Sequence, residues 1–252
     1  MHPYVMPAAV QDRVLARMGR MWAQDTLDAA RAALVVVDMQ NYFCAAGFPA
    51  EAPVARAIVP NINRMAAALR AAGGRVVWVQ TTTAGAVEHW ANFQTRMLTP
   101  ARQEARLAGL DEAAEGYKLF PALLPAPGDL YVRKIKYSAF IAGSSDIDAQ
   151  LKTRGIDTLL ITGTVTNVCC ESTARDAMML DYRVTMLSDG NAALNDQEHA
   201  AALDTFAMFF GDVMTTGEAI ARLVAPDRAS TEQRKPAQRK LQQRKLQQRK
   251  PA

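Results

Sequence analysis

Short apolar runs rich in β-branched residues alternate along this chain with longer segments in which apolar residues recur every three or four positions. The short runs predict strands and the longer segments predict helices. The predicted strands cover residues 32–37, 75–81, 129–134, 158–162, 183–187 and 212–214. The predicted helices cover residues 52–72, 145–154, 170–180, 197–210 and 216–224. This alternation predicts an α/β fold: three αβα layers around a central, mostly parallel sheet of about six strands.

Three segments of the chain differ in pattern. Residues 1–31 precede the first strand, residues 32–225 carry the strand–helix alternation, and residues 226–252 repeat Gln-Arg-Lys with little to bury. We expect an N-terminal helical arm, one main domain and a disordered basic tail, in that order. The apolar residues of the arm that fall at helical spacing are Val10, Val14, Met18, Met21 and Trp22. The arm is expected to pack on the body or on a second subunit; a lid over the site is the alternative.

The tail also controls the charge of the chain. It holds nine Lys or Arg and two Asp or Glu, a net of +7, so the chain's net charge of +4 leaves residues 1–225 at −3. No aromatic residue interrupts the tail, so there is no platform for stacking bases. Specific nucleic-acid binding is therefore not expected.

Composition predicts a soluble cytoplasmic protein. The chain opens with Met1-His2-Pro3-Tyr4, which lacks the basic and apolar regions of a signal peptide, and no apolar run is long enough to span a membrane. Two of the three cysteines are adjacent, which argues against a disulfide framework and favours a reducing compartment. The sequence has neither a GxGxxG nor a GxxxxGK[ST] motif, so nothing supports a dinucleotide fold or a P-loop.

Three chemically capable residues stand at the ends of predicted strands. Asp38 follows the first strand, Lys134 ends the third, and Cys169 lies in the turn after the fourth. The carboxyl ends of parallel strands share one edge of the sheet, so the three side chains are expected to converge there. A base, a cation and a thiol at the start of a helix are what a cysteine nucleophile needs, because the helix end and the cation stabilise a thiolate.

These residues stand in recognisable motifs. Asp38-Met39-Gln40, Lys134 four residues before Ser138, and Thr166-Asn167-Val168-Cys169 followed by Thr173-Ala174-Arg175-Asp176-Ala177 resemble the isochorismatase-like cysteine hydrolases. The resemblance covers about residues 32–224 and implies the isochorismatase-like version of the α/β fold. The family includes nicotinamidases and amidohydrolases that act on N-carbamoylsarcosine, biuret, ureidoacrylate and maleamate.

The resemblance implies a catalytic triad of Asp38, Lys134 and Cys169. It also implies a cis peptide bond between Thr164 and Val165, which would aim the N–H groups of Val165 and Cys169 into an oxyanion hole. The activity expected from it is hydrolysis of the C–N bond of a small amide or ureide through a thioester on Cys169, without a cofactor. A homodimer or homotetramer is expected from the same resemblance.

Two other functions remain open at this stage. An isochorismatase proper cleaves a vinyl ether and does not need the cysteine, whereas a non-catalytic scaffold would act through its basic tail. The intact set of aspartate, lysine and cysteine favours amide hydrolysis over both.

Cys169 has one rival as nucleophile. Cys170 lies one residue further on, where a helix turns its side chain by about 100°, so it is expected to pack inward. Cys44, in the loop after Asp38, is expected to be a small apolar filler.

Substrate-binding residues are predicted around the irregular segment 84–127 and next to the triad. The aromatic candidates are Trp90, Phe93 and Tyr137, and the last of these resembles an aromatic of relatives that hydrolyse ureido groups. Gln40 and Asn41 are candidates beside Asp38, where orienting the loop is their expected role. Arg96, Arg102 and Arg106 predict a basic helix face, which could bind an anionic substrate. The preferred interpretation is that this face is exposed to solvent.

No metal site is predicted. His2, His89 and His199 are isolated in the sequence and have no partner at metal-ligand spacing. The nicotinamidase branch carries an Asp/His cluster after its second strand, whereas residues 80–85 here read Gln-Thr-Thr-Thr-Ala-Gly. A metal-dependent nicotinamidase is therefore disfavoured.

Overall fold

The computed structural model describes residues 1–225, and the predicted basic tail at 226–252 lies outside the described residues. In chain order the strands are β1 (Leu27–Asp28), β2 (Ala32–Val37), β3 (Arg75–Thr81), β4 (Leu130–Lys134), β5 (Thr158–Thr164), β6 (Arg183–Ala192), β7 (Asp212–Met214) and β8 (Leu223–Val224). Six of them form one parallel sheet in the order β4-β3-β2-β5-β6-β7. The predicted α/β class and the six-stranded parallel sheet are confirmed.

Helices cover both faces of the sheet. They are α1 (Ala8–Met18), α2 (Asn41–Cys44), α3 (Ala55–Ala71), α4 (Ala86–His89), α5 (Ala91–Arg96), α6 (Pro100–Gly109), α7 (Ile147–Thr153), α8 (Glu171–Met179), α9 (Asp196–Phe209) and α10 (Thr216–Ala221). None of the helices within residues 1–225 is long and apolar enough to cross a membrane.

The protein has two hydrophobic cores, one on each face of the sheet, and strand β2 contributes to both. All six of its residues are buried, and they alternate between the two faces of the sheet. Val35 and Val37 join the core that includes Ile147, Leu203 and Phe206 of α7 and α9. The residues of β2 in between pack with α3 and α10, through Ile58, Ile62, Met65, Leu69 and Ala219. The sheet is thus the middle of three layers.

The N-terminal arm packs against the body. Val10 and Val14 of α1 are buried in the core on the α9 side, and the Tyr4 hydroxyl donates to Asp204 at 2.9 Å. The helix is shorter than predicted, because Gly19 adopts a left-handed φ of 69° and its N–H caps the Leu15 carbonyl. Met21 and Trp22 therefore lie beyond the helix.

The C-terminal part of the domain also departs from the prediction. The helix expected over 216–224 ends at Ala221, and β8 then pairs in parallel with β1. This short sheet joins the end of the arm to the end of the domain, with Leu27 fully buried. The apolar spacing of residues 216–224 is helical, but hydrogen bonding of β8 to β1 determines the structure of the last residues. The sequence around β8 does not indicate that β1 is its partner.

Strands β5 and β6 extend further than predicted. The register shifts between Ile161 and Gly163, and the β6 partners resume at Asn191. The side-chain amide of Asn191 donates to the carbonyls of Ile161 and Leu187 at 2.9 and 2.7 Å. It thereby satisfies backbone acceptors that the irregularity would leave unpaired.

Candidate active site

The carboxyl ends of four neighbouring strands meet at one edge of the sheet. Lys134 ends β4, Thr81 ends β3, Asp38 follows β2, and Cys169 follows β5 in a π-helical turn, Thr166–Cys170. Since β4, β3, β2 and β5 are consecutive in the sheet, these four residues come from one row of strand ends. The expected convergence of Asp38, Lys134 and Cys169 rests on this topology.

Asp38 and Lys134 form a buried ion pair. Asp38 Oδ2 lies 2.8 Å from Lys134 Nζ, and each side chain is 1% exposed. The Thr81 hydroxyl joins the two, donating to Asp38 Oδ1 at 2.8 Å and accepting from Lys134 Nζ at 2.7 Å. Lys134 Nζ also donates to the Lys136 carbonyl at 3.1 Å. Burial alone would lower the pKa of Lys134, but the Asp38 carboxylate outweighs it, so the pKa is raised and the ammonium stays charged.

The backbone aims Asp38 into this cluster. Its φ is 53°, a left-handed conformation that aspartate tolerates better than most residues. Its N–H donates to the Val79 carbonyl at 2.9 Å, and its carbonyl accepts from the Thr164 hydroxyl at 3.2 Å. Gly163 on β5 permits this close approach, because a Cβ there would lie 2.0 Å from the Val37 carbonyl oxygen.

The Cys169 thiol faces Asp38. Burial raises the pKa of Cys169 to about 12, Lys134 acts in the opposite direction, and Asp38, which is in hydrogen-bond contact with the thiol, raises it further. Cys169 therefore rests as a protonated thiol, which differs from the thiolate expected from the helix start and the cation. Asp38 Oδ2 receives no well-aligned hydrogen bond from any residue in 1–225, so it keeps a lone pair able to take a proton.

The other two cysteines lie away from this contact. Cys170 is fully buried in the core, and burial raises its pKa well above the usual value. Cys44 is buried with its sulfur 3.9 Å from that of Met39, and burial raises its pKa to about 12. Both environments suit inert apolar filling.

The turn before Cys169 has the geometry that the resemblance implied. The peptide bond between Thr164 and Val165 is cis. The Val165 carbonyl accepts from the N–H groups of Val168 and Cys170 at 3.0 and 3.2 Å, which holds the π-helical turn. The Val165 N–H donates to no oxygen within residues 1–225. Its role in an oxyanion hole, like that of the Cys169 N–H, remains a prediction.

A pair of histidines ties the N-terminal arm to this turn. His2 stacks on His199 at 4.6 Å between ring centroids, although the 196 residues between them hide the pairing from the sequence. His2 contacts Asp196 at 2.6 Å and the Ala193 N–H at 3.0 Å. His199 Nδ1 lies 2.9 Å from the Thr166 hydroxyl at the start of the turn. The sequence suggested that the two histidines are isolated, but in the structure they pack together. They connect the N-terminal arm to the turn that carries Cys169.

We expect His199 to make stability depend on pH. Burial, with His2 beside it, lowers the pKa of His199 to about 4. The unfolded chain, with an ordinary histidine pKa near 6.5, then binds the proton more tightly. The free energy of unfolding should be fully developed above pH 6.5 and should fall by about 2 kcal/mol between pH 7 and pH 5. Urea unfolding at the two pH values measures it, with His199→Asn as the non-titrating control. Equal falls in both proteins would contradict the assignment.

The three aromatic candidates form one cluster. Trp90 and Phe93 stack at 4.2 Å, and Tyr137 meets them edge-on at 4.8 and 5.4 Å between ring centroids. Burial has the largest effect on the pKa of Tyr137 and raises it, and Tyr137 lies close enough to Cys169 that a thiolate there would raise it further. A cavity of about 380 Å³ opens beside the cluster, lined by residues that include Trp90, Tyr137, Ser138, Ile141 and Arg175. The cluster is thus suitably placed for a pocket wall, which remains a prediction.

Gln40 and Asn41 have structural contacts that use their amide hydrogens. Gln40 Nε2 donates to the carbonyls of Thr81 and Tyr117, both at 3.0 Å, and its oxygen accepts from the Thr81 N–H at 2.8 Å. Asn41 Nδ2 donates to the carbonyl and the carboxylate of Glu115 at 3.0 and 3.1 Å. Through Glu115 and Tyr117, these contacts hold the segment after Asp38 against the irregular segment 84–127. They leave neither residue an amide hydrogen for a substrate, so the contacts support orientation of the loop over substrate binding.

Two polar residues near the site were not singled out from the sequence. Thr81 ends its strand in the same way as Lys134 does, so the strand-end argument could have found it. Gln94, next to Phe93 on α5, is fully buried, and neither polar atom of its amide has a partner within residues 1–225. Nothing in the local pattern distinguishes it from an exposed glutamine.

Metal ions require a set of several ligand side chains close together. Residues 1–225 contain no group of three or more His, Cys, Asp or Glu side chains able to hold a metal ion together. The strand-end cluster itself offers one carboxylate, which the lysine already pairs. The arrangement is suited to proton transfer between a thiol and a carboxylate beside a fixed ammonium.

Comparison with known proteins agrees with this chemistry. Residues 32–218 match the isochorismatase domain family. A cysteine hydrolase from Pseudomonas syringae pv. phaseolicola is 30% identical, with a TM-score of 0.69 over 81% of this chain and 98% of that one. A nicotinamidase from Bacillus subtilis is 25% identical, with a TM-score of 0.62 over 73% and 99%. An N-carbamoylsarcosine amidase from Thermoplasma acidophilum, 24% identical, shares the fold with a TM-score of 0.57 over 74% and 96%.

The family match spans more than half of the chain, and the strand-end arrangement of aspartate, lysine and cysteine lies inside it. The chain therefore belongs to the isochorismatase family of cysteine hydrolases.

Proposed function

We propose that the protein hydrolyses the C–N bond of a small amide or ureide through a thioester on Cys169. The observation that carries the proposal is the environment of Asp38. Its Oδ2 lies 2.8 Å from a charged ammonium and has no well-aligned donor within residues 1–225, and the carboxylate is close enough to the Cys169 thiol to raise the pKa of that thiol. A carboxylate with a free lone pair next to a buried thiol is a general base for that thiol.

In the first half of the reaction, the sulfur attacks the carbonyl carbon as Asp38 takes the thiol proton. Concerted transfer is favoured because burial disfavours a free thiolate before attack. The oxyanion that forms is held by the Val165 N–H, together with the Cys169 N–H. Asp38 then gives its proton to the nitrogen, the C–N bond breaks, and ammonia or an amine leaves a thioester behind.

In the second half, water replaces the amine. Asp38 takes a proton from the water as it attacks the thioester carbonyl, and the same N–H groups hold the second oxyanion. The C–S bond breaks, the sulfur regains a proton from Asp38, and the acid leaves. Lys134 stays protonated throughout, so that each form of Asp38 faces a fixed positive charge. An oxyanion donor of this type contributes roughly 3 kcal/mol to the transition state.

Ammonia release across a panel of small amides tests the proposal. The panel contains biuret, ureidoacrylate, maleamate, N-carbamoyl amino acids and nicotinamide, and intact-protein mass spectrometry follows the thioester in acid-quenched samples. We expect turnover of at least one amide together with a mass increase confined to Cys169. Isochorismate cleavage that survives Cys169→Ala, without ammonia release from any amide, would instead indicate vinyl-ether chemistry.

A further inference from the structure

The predicted basic helix face is divided between two helices, since Arg96 ends α5 whereas Arg102 and Arg106 lie on α6, and Arg106 differs from the other two arginines. Arg96 and Arg102 are exposed, whereas Arg106 is half-buried and its Nε is fully shielded from solvent. Its guanidinium lies over the Phe93 ring, 5.3 Å from the centroid. The same ring packs against Trp90 and Tyr137, so Arg106 borders the aromatic cluster on the site's side of α6.

The charge of Arg106 reaches the reacting groups. Burial has the largest effect on the pKa of Cys169 and of Tyr137, raising both, and Arg106 acts in the opposite direction on each. Lys134 is already paired with Asp38. Arg106 has no carboxylate partner within residues 1–225, and its Nε has no hydrogen-bond acceptor there. Of the two cations that act on the pKa of the thiol, Lys134 and Arg106, Arg106 is thus the one without a carboxylate partner in residues 1–225.

A shielded, unpartnered guanidinium nitrogen is costly to keep in a folded protein. The contact with Phe93 offsets only part of that cost, since a ring face accepts no in-plane hydrogen bond. A planar oxyanion matches the fork of N–H donors that a guanidinium presents. Space for one exists in a cavity of about 280 Å³ that Arg106 lines together with Phe93, Tyr42 and Arg102. This cavity adjoins the aromatic cluster through Phe93, and Cys169 is not among its lining residues.

We infer that Arg106 is a specificity residue that binds a carboxylate on the substrate, so that the preferred substrates are amides or ureides of short acids. This inference rests on the proposed amide hydrolysis and narrows it. It predicts discrimination against neutral amides of the same size, because these leave the guanidinium without an acceptor. The alternative is that Arg106 only supports Phe93 by packing.

Matched substrate pairs separate the two. Succinamate is compared with 4-hydroxybutyramide, in which a hydroxymethyl group replaces the carboxylate, and malonamate and glutaramate vary the spacing. The wild-type protein should prefer the acid in kcat/KM by about 10- to 100-fold, the range of a charged hydrogen bond. Arg106→Gln should remove this preference: kcat/KM for the acid should fall, mainly through KM, by at least about tenfold more than kcat/KM for the neutral amide. Arg106→Lys should restore part of it, and Arg96→Gln, on the exposed face, should match the wild type.

Each failure has a distinct signature. If Arg106→Gln lowers turnover of acid and neutral amide equally, the residue is structural, and the inference fails while the amidase function stands. If the wild-type protein hydrolyses no amide, the proposed function fails. The carboxylate site is then judged by binding: succinate should raise the Tm of Cys169→Ser but not that of Cys169→Ser/Arg106→Gln. The absence of that difference would overturn the inference.

Discussion

Replacing Cys169 with alanine should lower kcat for amide hydrolysis by four or more orders of magnitude while the fold survives. Removal of a nucleophile costs roughly that much or more, because the remaining groups can only orient water and stabilise the oxyanion. The fold should persist, since the change deletes one buried sulfur atom and leaves the Asp38–Lys134 pair intact. Ammonia release measures the first effect, and circular dichroism with thermal unfolding measures the second.

Cys170→Ala provides the matched control. It removes the same atom one residue further on, from a side chain in the core that has no contact with Asp38. We expect it to keep activity within a few-fold and to lose about 1–2 kcal/mol of stability to the cavity. Retention of a tenth or more of wild-type amide turnover in Cys169→Ala would rule out the sulfur as nucleophile. Loss in Cys170→Ala alone would transfer the role to its neighbour.

The residues at strand ends were predictable because their position follows from topology alone. Once β2, β4 and β5 are recognised as parallel strands, the residues that follow them must share an edge, whatever separates them along the chain. The convergence of Asp38, Lys134 and Cys169 could thus be predicted from the sequence, and the comparisons confirm the predicted family of cysteine hydrolases. Thr81 follows from the same rule but is visible only when the order of strands places β3 between β2 and β4.

Features that depend on packing could not be predicted in this way. Arg96, Arg102 and Arg106 have the same local pattern, and only the docking of α6 shows which one turns toward the site. The stacking of His2 on His199 joins opposite ends of the described chain. The pKa of the Cys169 thiol depends on opposing effects of burial and of neighbouring charges, which cannot be evaluated from the sequence. Helix position and Lys134 favour the thiolate, but burial together with the adjacent Asp38 carboxylate outweighs them.

Asp38→Asn is expected to damage stability and activity for different reasons, which a second substitution can separate. The ammonium of Lys134 is 1% exposed and would lose its counter-ion, so the free energy of unfolding should fall by about 3–5 kcal/mol. Asparagine cannot take the thiol proton, so kcat should fall by roughly 10²- to 10⁴-fold. Urea unfolding and ammonia release measure the two effects on the same preparations.

Lys134→Met in the Asp38→Asn background tests the separation. Removing the stranded ammonium should recover most of the lost stability, because a neutral methionine of similar volume needs no counter-ion. Activity should not recover, since neither the base nor the fixed cation is present. Lys134→Met alone should be destabilised, because it leaves the Asp38 carboxylate buried at 1% exposure with no cation, beside the neutral Thr81 hydroxyl and Cys169 thiol. If the double variant regained turnover together with stability, Asp38 would act only through folding, and the base would have to be sought elsewhere at the strand ends.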